Sequence, residues 1–226
     1  MDSYSDMLFS LTQEAIKNYE TKEANNEGKL AYLSLTSKPE GPIRDRVAWL
    51  LQKKFDEEGG NLFSSREYKR YDLAILKPND HPNRKEPEVK HIYEFKVGSA
   101  ASFRGKLKQA DKFDNRVVSD FQIGFENNDL EKMTCIFIGV EPKQKIKKNE
   151  YAFVKYAGRT NSLRKKINQE GLDETFINKK LVEKFDERDG LELIESDSIE
   201  LKAYNDKSVC LHLLILKPIQ NHFSVN

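Results

Sequence analysis

The segment that most constrains this chain is His91 to Val97 (His-Ile-Tyr-Glu-Phe-Lys-Val), an apolar, strand-forming run interrupted by two opposite charges. Its composition and its stop at Gly98 predict a β-strand. Side chains alternate across a strand, so Glu94 and Lys96 project from one face while Phe95 points to the other. Charges in so apolar a strand are costly unless each finds a partner. Any fold built on this run must therefore bring further polar groups to the face that carries Glu94 and Lys96.

The preceding apolar run offers one. Tyr71 to Leu76 (Tyr-Asp-Leu-Ala-Ile-Leu) reads as a strand ended by Lys-Pro-Asn-Asp, and the loop Lys77 to Lys90 carries three prolines and no periodicity. If the two strands pair across that loop, Asp72 approaches Glu94 and Lys96. Ser5 to Ala24 predicts an amphipathic helix, and Asn25 to Glu40 a loop with a short strand at Leu30 to Leu35. Pro42 to Glu57 predicts a second helix, with Val47, Leu50, Leu51 and Phe55 as its apolar stripe and Gly59-Gly60 as its stop. Asn61 to Tyr68 reads as a strand, Ala100 to Asn115 as a helix and Met133 to Val140 as a buried strand. Helices at Leu163 to Glu170 and Asp173 to Asp186 follow, then two strands, Leu191 to Tyr204 and Ser208 to Lys217, read as a hairpin. The order predicts an α/β sandwich with a mixed sheet, organised as a single domain over 1–226.

Composition narrows the setting. With 38% apolar and 33% charged residues the chain is very polar, but 10% aromatics argue against disorder. No apolar run reaches the roughly 20 residues that span a bilayer. Met1 to Gln13 lacks a basic segment followed by an apolar one, so no signal peptide and a cytoplasmic location are expected. Cys135 and Cys210 each lie in an apolar run and read as small core residues, not as a disulfide or zinc framework; His212 and His222 read as structural. The net charge of +1 conceals an asymmetry. Lys143 to Lys166 contains nine Lys/Arg against Glu150 alone, whereas acids predominate from Glu170 to Asp206. Such a basic window suits a face offered to a polyanion, and solvated helix faces are the alternative. Tyr151, Phe153 and Tyr156 interleave with that window and read as apolar core, with base contact as the other option.

Two carboxylates and a lysine converging on one point are a sufficient minimum for phosphodiester hydrolysis. Mg²⁺ takes oxygen ligands, usually one or two carboxylates, and lowers the pKa of a bound water. A nearby lysine orients or deprotonates that water and offsets charge developing on the phosphate. Glu-x-Lys by itself carries no weight: it starts at Glu20, Glu27, Glu67, Glu88, Glu94, Glu141 and Glu200. Glu94 stands out by its apolar strand, by the Asp72-led strand before it, and by the helix and buried strand predicted after it. A cross-strand salt-bridge network is the bland alternative.

Asp72-Leu-Ala-Ile-Leu followed by Glu94-Phe-Lys96, behind a helix and a strand, resembles the PD-(D/E)XK nuclease superfamily, which includes many restriction endonucleases. The resemblance covers roughly residues 42 to 140, leaving the C-terminal helices and hairpin, about 150 to 218, as additions. Tyr71 stands where the family places proline. The resemblance implies a restriction-endonuclease-like core with a central mixed sheet flanked by helices. It implies hydrolysis of nucleic acid, double-stranded DNA above all, with Asp72 and Glu94 as Mg²⁺ ligands and Lys96 beside the attacking water; Mn²⁺ is expected to substitute. A supporting acid from the preceding helix is matched by Asp45, which equally fits a first-turn acid stabilising the helix dipole. Glu67 is a second candidate, or an exposed strand residue. Gln109 matches a supporting glutamine by position, or is a solvated helix residue. Arg104, Lys106 and Lys108, together with Lys145, Lys147, Lys148, Arg159, Arg164 and Lys165, would hold the nucleic-acid backbone.

Restriction or anti-foreign-DNA defence, no membrane and, by fold-level analogy alone, a homodimer complete the expectation. The runner-up is a nucleic-acid-binding protein with a nuclease-like fold and no catalysis; an interaction protein with merely charged strands is a third reading. Asp80, His81, Asn83 and His91 supply the letters of an HNH site, but His91 opens a strand where that site needs a helix. Gly98 to Lys106 has its glycines wrongly spaced for a phosphate loop.

Overall fold

The strand around Glu94 extends beyond its apolar residues and spans Glu88–Ser99 (β3). A computed structural model describes residues 3–21, 28–79, 86–100, 119–124, 126, 129–155, 157–171, 175–186 and 190–219. Antiparallel to β3 runs Leu73–Lys77 (β2), with Phe63–Arg66 (β1) outside it. On the other side Met133–Pro142 (β4) runs parallel to β3, followed by Lys207–Pro218 (β6) and the edge strand Leu191–Tyr204 (β5). The described residues thus form a six-stranded mixed open sheet in the order β1-β2-β3-β4-β6-β5. A parallel neighbour needs a long crossover, and the chain makes it between Ser99 and Met133, where residues 119–124 are helical. The helix expected over 100–115 lies outside the described residues, except for Ala100.

Alternation along β3 sorts its side chains to two cores. Tyr93, Phe95 and Val97 pack on one face with apolar residues of Ser3–Thr21 (α1), Lys29–Thr36 (α2) and Glu40–Glu57 (α3). Ile92 packs on the other with Cys135, Phe137, Phe121, Leu163 of Ala157–Glu170 (α4), and Leu181 and Phe185 of Phe176–Asp186 (α5). Helices therefore cover both faces, the arrangement that lets β4 be buried along its whole length. Phe95, Phe121, Phe137 and Phe185 are fully buried; each contributes about 1.5–3 kcal/mol relative to exposure.

The expected α/β class holds, with one local correction. Leu30 to Leu35 is not a strand but most of α2, because its buried residues are Leu30, Ala31, Ser34 and Leu35. That i, i+1, i+4, i+5 spacing is a helix face, not an alternating strand face. The helix α3 begins at Glu40, two residues before the proline, which sits inside its first turn. The late hairpin is present. Its two-residue turn uses Asn205 (φ 45°) and Asp206 (φ 64°), the left-handed pair that matches strand twist. No helix among the described residues is long and apolar enough to cross a membrane.

Candidate active site

The β2–β3 pairing sets Leu73 opposite Tyr93, so Asp72, one residue earlier, lies at the level of Glu94. Each carboxylate then accepts from a main-chain N–H of the facing strand segment. Asp72 N–H donates to Glu94 Oε1 at 3.4 Å, and Phe95 N–H donates to Asp72 Oδ2 at 2.9 Å. Lys96, two residues along the same face, places Nζ 3.1 Å from Glu94 Oε2 and 3.9 Å from Asp72 Oδ2. The three residues expected to converge do so.

A fourth and a fifth group join them. Asp120, in the helical segment before β4, sets Oδ2 2.7 Å from Lys96 Nζ. Arg44, on α3, reaches Asp72 Oδ1 at 3.4 Å from the opposite side. Glu40, in the first turn of the same helix, lies close enough for Asp72, Lys96 and Arg44 to act on it; burial first, then Asp72, pushes its carboxyl above the ordinary range. Glu40 is thus a further acid of α3 in the electrostatic neighbourhood of the site, beside the expected Asp45. Asp45 pairs with Arg66 at 2.9 Å and with Arg44 at 3.2 Å, and reaches Asp72 only through that arginine. Glu67 lies just past β1 with φ 54°, largely exposed, and also binds Arg44 at 3.2 Å. Sequence reading missed Glu40 because it started the helix at Pro42. It missed Asp120 because a single acid ahead of Phe121 carries no periodic signal. Gln109, Arg104, Lys106 and Lys108 lie outside the described residues.

The electrostatics follow from crowding. Glu94 is 4% exposed. Burial pushes its carboxyl up to about 8, with Lys96 opposing the shift and Asp72 and Asp120 adding to it. Burial also works against the Lys96 ammonium, but Glu94 and Asp120 outweigh it and hold the lysine above its ordinary range. Lys96 is therefore a firm cation amid carboxylates. Cys135, level with Glu94 on β4, is fully buried and its thiol is pushed well above the usual value, which leaves it a packing residue and not a nucleophile.

These donors fit a hard divalent cation. Asp72 and Glu94 both bring carboxylate oxygens to within 4 Å of Lys96 Nζ, and two carboxylates are the number Mg²⁺ commonly takes from protein. A second, separate set consists of Glu141, Cys210 and His212, all buried, with ligating atoms within 4.8 Å of one another. This set can hold a metal by donor type, while Cys210 is buried in the core as expected. However, Glu141 is already engaged by His212 Nε2 at 2.7 Å, by Lys143 Nζ at 3.5 Å and by Arg164. Here two fixed positive charges face one carboxylate, whereas at the candidate active site Lys96 and Arg44 face Asp72, Glu94 and Asp120.

Of the expected backbone-binding residues, Lys145, Lys147, Lys148, Arg164 and Lys165 line one open groove of about 1130 Å³, between the segment after β4 and α4. Arg164 is only partly available to a ligand. Its guanidinium donates to Glu141 and to the Pro142 carbonyl, so its charge is largely spent inside the protein. Arg159 is exposed on α4 outside that lining. Tyr151 and Phe153, expected in the core, are 45% and 51% exposed; Val154 and Ala157 supply the apolar anchoring instead. No family model, no curated protein and no solved structure matches the chain.

Proposed function

We propose that the chain is a Mg²⁺-dependent endonuclease with a restriction-endonuclease-like core of the PD-(D/E)XK kind, hydrolysing phosphodiester bonds of DNA in restriction or defence against foreign DNA. The observation that carries the reading is the meeting of Asp72, Glu94 and Lys96, with Asp72 held by the Phe95 N–H and Lys96 Nζ 3.1 Å from Glu94. The order of a three-strand antiparallel unit followed by a parallel neighbour supports it at the level of fold. A pure binder has no need of a lysine forced among buried acids, since each such charge costs free energy unless it is used.

Asp72 and Glu94 would hold the ion, which when bound supplies Lewis-acid stabilisation of the phosphate and a water of lowered pKa. Lys96, kept cationic by Glu94 and Asp120, orients the attacking water and stabilises the negative charge that gathers on the phosphate. Asp120, 2.7 Å from Nζ, is a positioning residue that fixes where the ammonium points. Arg44 holds the far oxygen of Asp72 and prevents that carboxylate from turning away. Glu40 adds negative charge on the α3 side and would strengthen cation binding.

The test is cleavage of supercoiled plasmid and phage DNA with Mg²⁺, Mn²⁺ or EDTA. Wild type is expected to nick or cut only with metal, and Lys96→Ala and Asp72→Ala to lose at least about a hundredfold in rate, the usual lower bound for removing a positioned proton-transfer or charge-stabilising group. Wild type leaving DNA and RNA intact, with Ca²⁺ failing to change binding, would turn the reading to a nucleic-acid-binding protein without catalysis.

A further inference from the structure

We infer that the groove between residues 143–148 and α4 binds a single-stranded stretch of nucleic acid, an unpaired segment held beside the DNA that is cut at the candidate active site. This deepens the nuclease reading and rests on it for the identity of the substrate. The charge is of the right sign and is available. Lys145, Lys148 and Lys165 are exposed and enter no ion pair among the described residues, whereas Lys143 and Arg164 are held by Glu141. The groove is therefore lined by two classes of cation, with the free ones outermost.

Its shape selects a strand. A duplex is read by convex protein elements that enter its grooves, whereas a lone strand lies in a concave, basic protein groove with aromatic rings for its bases. Tyr151 lines this groove and is 45% exposed, and Phe153, two residues on, is 51% exposed. The groove is also built before any ligand arrives. Asn161 of α4 accepts from Ile146 N–H at 2.6 Å and donates from Nδ2 to Ile146 O and to Tyr151 Oη, both at 2.7 Å. One side chain thus ties the basic loop, the aromatic ring and the helix together. Ser162, Asn168 and Gln169 complete the lining with neutral hydrogen-bonding groups.

The groove lies within reach of the candidate active site. Lys96 is level with Phe137 on β4, and Lys143 lies six residues further along, roughly 20 Å at the rise of a strand. A lone strand is not held to the base-pair spacing of a duplex, so a few nucleotides cover that separation. A single molecule of substrate can occupy both places.

The experiment measures binding without cleavage. Full-length Lys96→Ala protein in EDTA is titrated into a labelled 20-mer of thymidylate and a labelled 20-base-pair duplex, by fluorescence anisotropy over a range of salt. In that background Lys145→Ala/Lys148→Ala/Lys165→Ala is expected to weaken 20-mer binding at least about tenfold. It should also lower the slope of log affinity against log salt by about 2, three phosphate contacts at roughly 0.7 each. Tyr151→Ala is expected to weaken the 20-mer about tenfold through lost stacking, with the salt slope unchanged. Unaltered 20-mer affinity in both variants, or a loss confined to the duplex, overturns the proposal. If wild type fails to cut any DNA yet the groove variants still lose the 20-mer, the groove stands and the nuclease reading falls.

Discussion

Glu94 and Glu141 are both almost fully buried, at 4% and 1% exposure, yet their carboxyls are driven in opposite directions. Burial raises Glu94 to about 8, Lys96 relieves only part of that, and Asp72 and Asp120 add to it. Burial opposes the charge on Glu141 as well, but the His212 hydrogen bond, Arg164 and Lys143 more than compensate, and its carboxyl is lowered. The difference has a measurable consequence at the candidate active site. At neutral pH the metal-free protein keeps a proton on Glu94, and a cation must displace it to use the carboxylate. Mg²⁺ binding at pH 6.5 is therefore expected to release close to one proton. Apparent affinity should rise about tenfold per pH unit and level off near pH 8, where Glu94 is already ionised. Isothermal titration in two buffers of different ionisation enthalpy counts the protons; a count of zero at pH 6.5 would exclude Glu94 as the ligand that titrates.

At the scale of elements, the helix that sequence periodicity misassigned depends on one glycine. Gly28, which precedes α2, has φ 74°, and a Cβ there would meet the Ala203 carbonyl oxygen at 2.5 Å. Both the backbone conformation and the close approach of β5 exclude a side chain. Gly28→Ala is expected to destabilise the fold by about 1–3 kcal/mol. Gly41, inside α3 with nothing within 4 Å of its would-be Cβ, provides the contrast: Gly41→Ala should be neutral or stabilising by up to about 1 kcal/mol. Urea denaturation of both variants checks the pair, and equal effects would contradict the packing of α2 on β5. The strands were more legible than this helix. Tyr71 to Leu76 and His91 to Val97 announced themselves through short apolar runs with turn residues between them, and the pairing of Leu73 with Tyr93 is close to what a hairpin across that loop demands. Leu30 to Leu35 was not legible, because in six residues a helical face and an alternating strand share too many positions, and the contact with β5 decides between them.

At the scale of the whole molecule, the buried polar cluster around Glu141 joins layers that sequence places far apart. Glu141 on β4 meets His212 on β6, which in turn bonds Ser198 of β5 at 2.8 Å, while Arg164 reaches in from α4. Removing the acid leaves three partners facing a void of charge. Glu141→Ala is therefore expected to cost about 3–5 kcal/mol, the usual penalty for orphaning buried partners. The pH dependence has a definite sign. The folded carboxyl lies below its unfolded value of 4.5, so its contribution is present above that pH and is lost as pH falls through the folded value. The gap in melting temperature between wild type and Glu141→Ala should accordingly narrow as pH is lowered from 6 toward 3. A constant gap would show that packing, and not charge, makes the difference.

The sequence by itself determined the alternation that puts Glu94 and Lys96 on one face, the proline-bearing loop across which Asp72 comes alongside, and the basic window that becomes the groove. These are consequences of local geometry: a strand's period is two residues wherever it lies, and neighbouring strands joined by a loop tend to pair. Only the tertiary structure decided that Asp120, Arg44 and Glu40 complete the cluster, that Tyr151 and Phe153 face solvent, and that Arg164 spends its charge on Glu141. Each of those outcomes turns on which helix packs against which strand. That is set by the summed burial of two apolar cores over contacts distant in sequence, a quantity no local pattern contains.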